Sequence, residues 1–186
     1  MIRYIIIGGG PAGTTAALEI RKLDSTGDIS IISNEDYQFY KRSKIINLIS
    51  ASCSEDDLFL KSKKIYDDNK IKFIYDHVLK VTHEKQQILL RNGLILNYDY
   101  LLIASGGSPI MLPWKGVDLE GVNTLYRLDD AKKVVKQVFN AKRVVVIGGG
   151  SIAMKALSNF KKIGLDISII EKAWIFRYYS FIIQNS

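Results

Sequence analysis

Residues 3–35 read RYIIIGGGPAGTTAALEIRKLDSTGDISIISNE, and residues 143–171 read RVVVIGGGSIAMKALSNFKKIGLDISIIE. The second stretch repeats the first at an offset of 140 residues, with Arg143 standing for Arg3 and Gly148 for Gly8. Each copy opens on an aliphatic, largely β-branched run and turns on three consecutive glycines. Each then continues in helix formers and closes on a second apolar run. That order is strand, tight turn, helix, strand: the βαβ unit.

The turn has a specific physics. Gly8 permits a turn that a Cβ would block, Gly10 lets the backbone approach a pyrophosphate, and Gly13 lets the helix pack closely on the strand. The helix start then offers unpaired N–H groups and a partial positive charge to the phosphates. A helix is expected over Ala12–Leu23 and a strand over Ile29–Ile32, with Glu35 lying 22 residues beyond Gly13. An acidic side chain there accepts hydrogen bonds from a ribose diol. A lone G-x-G-x-x-G is weak evidence, and a glycine turn in an unrelated α/β protein is the alternative. Here the motif follows a strand, opens a helix, has its acid at the expected distance and recurs. The second copy keeps Gly148 and Gly150, carries Ala153 at the third place and ends on Glu171. A carboxylate there would bind ribose hydroxyls and repel a 2′-phosphate, so NADH is expected over NADPH. A degenerate turn that binds nothing is the alternative for this copy.

The rest of the composition is compatible with this reading. The chain has 186 residues, 47% hydrophobic and 24% charged, with a mean hydropathy of +0.05. These values suit a folded domain with a real core and argue against disorder. Cys53 is the single cysteine, which excludes an internal disulfide, a dithiol pair and a cysteine-cluster metal site. No segment reaches the roughly 20 apolar residues of a bilayer span. The apolar run Tyr4–Ile7 stops at glycines and is no secretory leader. The expected location is cytoplasmic, with no membrane partner. The net charge of +7 comes from lysines spread along the chain, and the densest run, Lys61, Lys63 and Lys64, is flanked by Asp56–Asp57 and Asp67–Asp68. No clustered basic face with stacking aromatics stands out, so no nucleic-acid partner is expected. His77 and His83 are unclustered and suggest no metal site.

Further stretches carry a resemblance. Asn34-Glu35-Asp36 is followed by Tyr40-Lys41-Arg42-Ser43, similar to an acidic ribose binder and the Y-x-R-P segment behind it. Residues 98–106, YDYLLIASG, resemble Y-D-x-L-L-I-A-T-G, and Leu125–Arg127 with Asp129-Asp130-Ala131 resembles a lead into the second βαβ. In order and spacing these segments resemble the pyridine nucleotide–disulfide oxidoreductases, flavoproteins with one FAD and one NAD(P) domain. The likeness is greatest to the branch without a redox disulfide, the NADH-dependent rubredoxin, ferredoxin and nitrite reductases. The resemblance implies an α/β fold of two Rossmann-like βαβ dinucleotide-binding units, with a small antiparallel β-meander inserted in the first. The runs Ile71–Ile74, Val78–Val81 and Ile88–Leu90 fall where the family places its meander, and Asn92-Gly93 marks a hairpin before Leu94–Leu96.

The resemblance also implies an FAD-binding domain over 1–112 and a partial NAD-binding domain over 113–186. FAD would be held by Gly8, Gly10, Pro11, Ala12, Gly13, Glu35, Arg42, Ala104, Ser105 and Gly106. NADH would be held by Gly148, Gly150, Ser151, Ile152 and Glu171. Electrons would pass from NADH through flavin to an acceptor, either a rubredoxin- or ferredoxin-type protein or a small molecule. No catalytic acid, base or nucleophile is assigned, and no metal.

The chain departs from the family in several places. Ser43 replaces a proline, Ser105 a threonine and Lys155 a glutamate, and Cys53 matches no family redox cysteine. The family's later segments, which complete both domains, do not follow. The expectation is a chain shortened at its C-terminus. It would be a non-catalytic nucleotide-binding remnant or one subunit of a split flavoenzyme if it is not the whole oxidoreductase. Residues 173–186, AWIFRYYSFIIQNS, are dense in aromatics, and self-association through them is expected.

Overall fold

The computed structural model describes residues 1–59, 64–111 and 113–172. The aromatic stretch 173–186 and the self-association expected of it lie outside the described residues, as do Lys61 and Lys63. The chain divides into two compact units. One comprises Met1–Lys41 and Asp56–Ser108; the other comprises Arg42–Glu55 and the described residues from Pro109 on. The segment Arg42–Glu55, a 3-10 turn over Arg42–Leu48 and the loop after it, groups with the second unit.

The first unit is built on β1 (Arg3–Ile7), α1 (Pro11–Leu23) and β2 (Asp28–Ser33). It continues through the short α2 (Ile65–Asp68), β3 (Ile71–Tyr75), β4 (Val78–Thr82), β5 (Gln87–Leu90), β6 (Ile95–Asn97) and β7 (Tyr100–Ile103). One sheet has the order β3-β2-β1-β7, and all its pairings are parallel. The other has the order β4-β5-β6 and is antiparallel. Successive side chains of a strand point to opposite faces, and β1 uses both. Ile6 joins Ile29, Ile31 and Ala17 in the core beneath α1, while Ile5 joins Ile32, Ile88, Leu90 and Tyr98 beneath the antiparallel sheet. Each fully buried isoleucine contributes about 1.5–3 kcal/mol relative to exposure.

The run Ile71–Ile74 is not part of the meander. It is the edge strand β3, with Ile29 opposite Ile71 and Ile32 opposite Ile74. Its side chains divide between the two cores, Ile71 and Phe73 on the α1 side and Ile74 on the other. The hairpin between β5 and β6 does turn at Asn92-Gly93. Gly93 adopts a positive φ of 88°, and the Leu94 N–H donates to Asn92 Oδ1 at 2.9 Å.

The second unit contains α3 (Leu128–Val138), β8 (Arg143–Ile147), α4 (Ser151–Lys162) and β9 (Asp166–Ile170). Strands β8 and β9 pair in parallel, Arg143 opposite Asp166 and Ile147 opposite Ile170. Ile46, Ile49, Val134, Ala156 and Phe160 form its core, with Val144, Val146 and Ile167 packed on it.

Candidate functional site

The first glycine turn connects β1 to α1, and its conformation is imposed by contacts around it. The Gly8 N–H donates to the Ile32 carbonyl at 2.8 Å, and the Ala104 N–H donates to the Ile7 carbonyl at 2.8 Å. Gly8 has φ +116°, and a Cβ there would lie 2.2 Å from the Ala104 oxygen. A Cβ on Gly13 would lie 1.9 Å from the Gly8 oxygen. Both positions exclude any other residue on steric grounds. Gly10 differs: a Cβ there would meet nothing within 4 Å. Its hydrogen faces open space at the helix start.

Helix α1 begins one residue earlier than its sequence pattern suggested, with Pro11 at the first helical position and Gly10 as N-cap. Proline is suited to that place because its missing N–H would have no helical acceptor. The Thr14 N–H donates to the Gly10 carbonyl at 2.9 Å, closing the first turn. No side chain caps the helix start, so the amides of its first turn face outward as donors for an anion. The Thr14 hydroxyl shares a buried hydrogen bond of 2.7 Å with the Tyr66 hydroxyl and donates to the Gly9 carbonyl at 3.2 Å. Burial raises the Tyr66 phenol above its ordinary value, because desolvation disfavours the phenolate. These contacts anchor the helix start from below. Ala104, Ser105 and Gly106 follow β7; Ala104 and Ser105 meet the same turn at Gly8, and Gly106 has φ +71°.

Glu35 lies just past the end of β2. Ser33 fixes its backbone: the Glu35 N–H donates to Ser33 Oγ at 3.1 Å, and the Ser33 hydroxyl donates to the Glu35 carbonyl at 3.0 Å. Its carboxylate accepts a hydrogen bond of 2.5 Å from the Tyr40 hydroxyl. Arg42 is placed in the second unit. There its guanidinium donates to the Tyr126 carbonyl at 2.8 Å and sits 4.5 Å from the centre of the Tyr126 ring. The residues around Tyr126 are ordered by Asp130, whose carboxylate accepts from the N–H groups of Tyr126 and Arg127, each at 2.9 Å.

The second glycine turn repeats two backbone hydrogen bonds of the first. The Gly148 N–H donates to the Ile170 carbonyl at 2.8 Å, and the Met154 N–H to the Gly150 carbonyl at 3.0 Å. Gly148 has φ +102°, and a Cβ on Gly148 or Gly150 would meet nothing within 4 Å. Ser151 and Ile152 open α4 in exposed positions, and Glu171 follows β9 with its carboxylate accepting from the Gly149 N–H. Lys155 is exposed on the same helix. Cys53 lies in the Arg42–Glu55 excursion, its sulfur 3.8 Å from the Lys44 carbonyl.

The sequence reading did not anticipate Tyr40, Thr14 or Tyr66 in these supporting roles. Tyr40 was visible only as the first residue of the Y-x-R-S segment. Among the described residues no helix is long and apolar enough to cross a membrane. Nor does any group of three or more His, Cys, Asp or Glu side chains among them have the arrangement of a metal site.

The pyridine nucleotide-disulphide oxidoreductase family matches residues 2–181. The chain is 29% identical over 170 residues to the NADH-dependent phenylglyoxylate dehydrogenase subunit epsilon of Aromatoleum evansii, covering 91% of this chain and 40% of that protein. It is 28% identical to the rubredoxin-NAD(+) reductase of Pseudomonas putida, covering 91% of this chain and 44% of that one. Among solved structures, a ferredoxin reductase from Rhodopseudomonas palustris superposes with a TM-score of 0.85 at 26% identity. That match covers 91% of this chain and 42% of the reductase. The chain thus spans less than half the length of these relatives.

Proposed function

The chain belongs to the pyridine nucleotide-disulphide oxidoreductase family, and on that premise we propose that its first unit binds FAD, its second binds NADH, and electrons pass from NADH through the flavin to an acceptor. The observation that carries the reading is the first glycine turn. Gly8 and Gly13 are forced by backbone contacts, whereas Gly10 is not. A glycine with no steric need, at the uncapped start of a 13-residue helix, leaves the space that a dinucleotide's pyrophosphate requires.

In this reading the chain's own groups do four things. The first-turn amides of α1 hold the pyrophosphate, and the helix dipole favours its charge. Glu35 accepts hydrogen bonds from the adenosine ribose. Ala104, Ser105 and Gly106 line the turn from the β7 side. Gly148, Gly150, Ser151, Ile152 and Glu171 repeat the arrangement for NADH, and the Glu171 carboxylate disfavours the 2′-phosphate of NADPH. Arg42 is assigned to the FAD phosphates from the family resemblance alone. FAD, when bound, supplies the capacity to take two electrons and release them to an acceptor. The names of the relatives favour an acceptor of the rubredoxin or ferredoxin kind over a small molecule.

The test is the visible spectrum of the purified protein after FAD is added and the excess removed. A retained flavin band that bleaches under anaerobic NADH supports the proposal. A colourless protein contradicts it.

A further inference from the structure

We propose that Tyr40 is a positioning residue for the first nucleotide site, holding the Glu35 carboxylate in the orientation that receives the FAD adenosine ribose. The inference rests on the assignment of Glu35 to that ribose. It adds a residue that neither the glycine motif nor the acid's spacing specifies.

Glu35 lies in the loop after β2, where no helix or strand fixes its side chain. Ser33, 8% exposed, locks its backbone by two hydrogen bonds. Those bonds act on the backbone and not on the carboxylate, and a glutamate loses considerable rotamer freedom when it is immobilised. The Tyr40 hydroxyl donates to Glu35 Oε2 at 2.5 Å. A hydrogen bond from a neutral hydroxyl to a carboxylate is charge-assisted and stronger than a neutral pair.

The donor is itself rigid. Tyr40 is 5% exposed, and its ring meets those of Tyr37 and Phe59 edge-on at 6.2 and 6.3 Å. Its backbone pairs with Phe59, and the next residue, Lys41, donates its N–H to the Leu58 carbonyl at 2.8 Å. Leu58 is fully buried. The phenol is therefore delivered from a packed aromatic cluster, and it fixes the acid before any ligand arrives. A carboxylate has acceptor capacity for several donors, so a bond from Tyr40 is compatible with bonds from a ribose diol. In the second copy the carboxylate of Glu171 is held differently, by the Gly149 N–H of its own turn. Loss of the Tyr40 hydroxyl should then affect one site only.

The experiment is a double-mutant cycle on the full chain, with Tyr40→Phe, Glu35→Ala and the pair. It is read as the dissociation constant for FAD by flavin fluorescence, with FMN as a ligand lacking the adenosine. Tyr40→Phe should weaken FAD about tenfold, leave FMN unchanged, and add nothing once Glu35→Ala, which removes the acceptor, is present. Phe59→Leu loosens the cluster that delivers the hydroxyl, so it should lower the ratio of FAD to FMN affinity by no more than Tyr40→Phe does, and it should add nothing once Tyr40→Phe is present. The inference is overturned if Glu35→Ala weakens FAD while Tyr40→Phe does not, if the two effects are independent, or if Phe59→Leu lowers the ratio further in the Tyr40→Phe background. A wild-type protein that binds no FAD, or binds it independently of Glu35, overturns the cofactor assignment itself and this inference with it.

Discussion

Ile5 and Ile32 lie on one face of the β1–β2 pair and are 4% and 1% exposed, whereas Val145 and Ile170 occupy the corresponding places on β8 and β9 and are 56% and 58% exposed. The two copies share the N–H of the first glycine donating to the end of the second strand, the first helical hydrogen bond and a parallel strand pairing. What differs is the covering layer. In the first unit, Ile88, Leu90 and Tyr98 from and beside the antiparallel strands close over that face. Those strands follow the first βαβ unit in the chain, and among the described residues the corresponding face of β8 and β9 is exposed at Val145 and Ile170. The repeat therefore carries the turn, the strand pairing and the core beneath the helix, while burial of the opposite face depends on what lies outside the repeat. The same side chain at the same register is a core residue in one unit and a surface residue in the other.

The contrast sets an order of expected effects. Ile32→Ala should cost the first unit about 4 kcal/mol, from lost transfer energy and a cavity, while Ile170→Ala should cost less than about 1 kcal/mol. Urea denaturation with a probe in each unit would read both. Comparable costs would mean that the Val145–Ile170 face is buried in solution. Gly13→Ala should destabilise the first turn by about 3 kcal/mol, since its Cβ would press 1.9 Å from a backbone oxygen. Gly10→Ala should leave thermal stability nearly unchanged and weaken FAD binding, which separates a ligand glycine from a steric one. The second copy already carries Ala153 at the third position, so the steric demand on Gly13 belongs to the first turn.

Smaller effects mark how firmly the first helix start is anchored. Met154 stands in the second copy where Thr14 stands in the first, so the buried Thr14–Tyr66 hydrogen bond has no equivalent there. Tyr66→Phe should cost about 1 kcal/mol in denaturation experiments without altering NADH binding. The smallest effect is expected at Asp99. Arg3 donates to its carboxylate through its side chain, at 2.7 Å and 3.1 Å, and through its backbone N–H at 2.7 Å. Those bonds lower its pKa from the ordinary carboxylate value to about 2. A lowered pKa stabilises the fold above the unfolded value and loses that contribution as the pH falls through the folded one. The stability difference between wild type and Asp99→Asn should therefore be present near neutrality and shrink between about pH 5 and about pH 2. A difference that does not change over that range would show that the pair is immaterial.

Much of this organisation is legible in the sequence because it is local. The turn between β1 and α1 and the acid at Glu35 are written in residues a few positions apart. Even the one-residue shift of the helix start follows from Pro11, whose ring suits the first helical position. Partner choice is less legible. The run Ile71–Ile74 reads as a short apolar strand in any sheet, and only the fold shows that β3 joins β2 in parallel. The excursion of Arg42–Glu55 into the second unit has no local signature, because Ile45, Ile46 and Ile49 would suit either core. Tyr40 was missed for a related reason: the loop between Glu35 and Tyr40 has no periodicity from which to predict that one side chain meets the other.

Glu35 and Glu171 are assigned to two different nucleotides, and FAD titration of Glu35→Ala and Glu171→Ala beside the wild type, followed by flavin fluorescence, separates them. Glu35→Ala should weaken FAD binding, and Glu171→Ala should leave it at the wild-type value. Equal loss in the two variants, or loss in Glu171→Ala alone, would contradict that assignment.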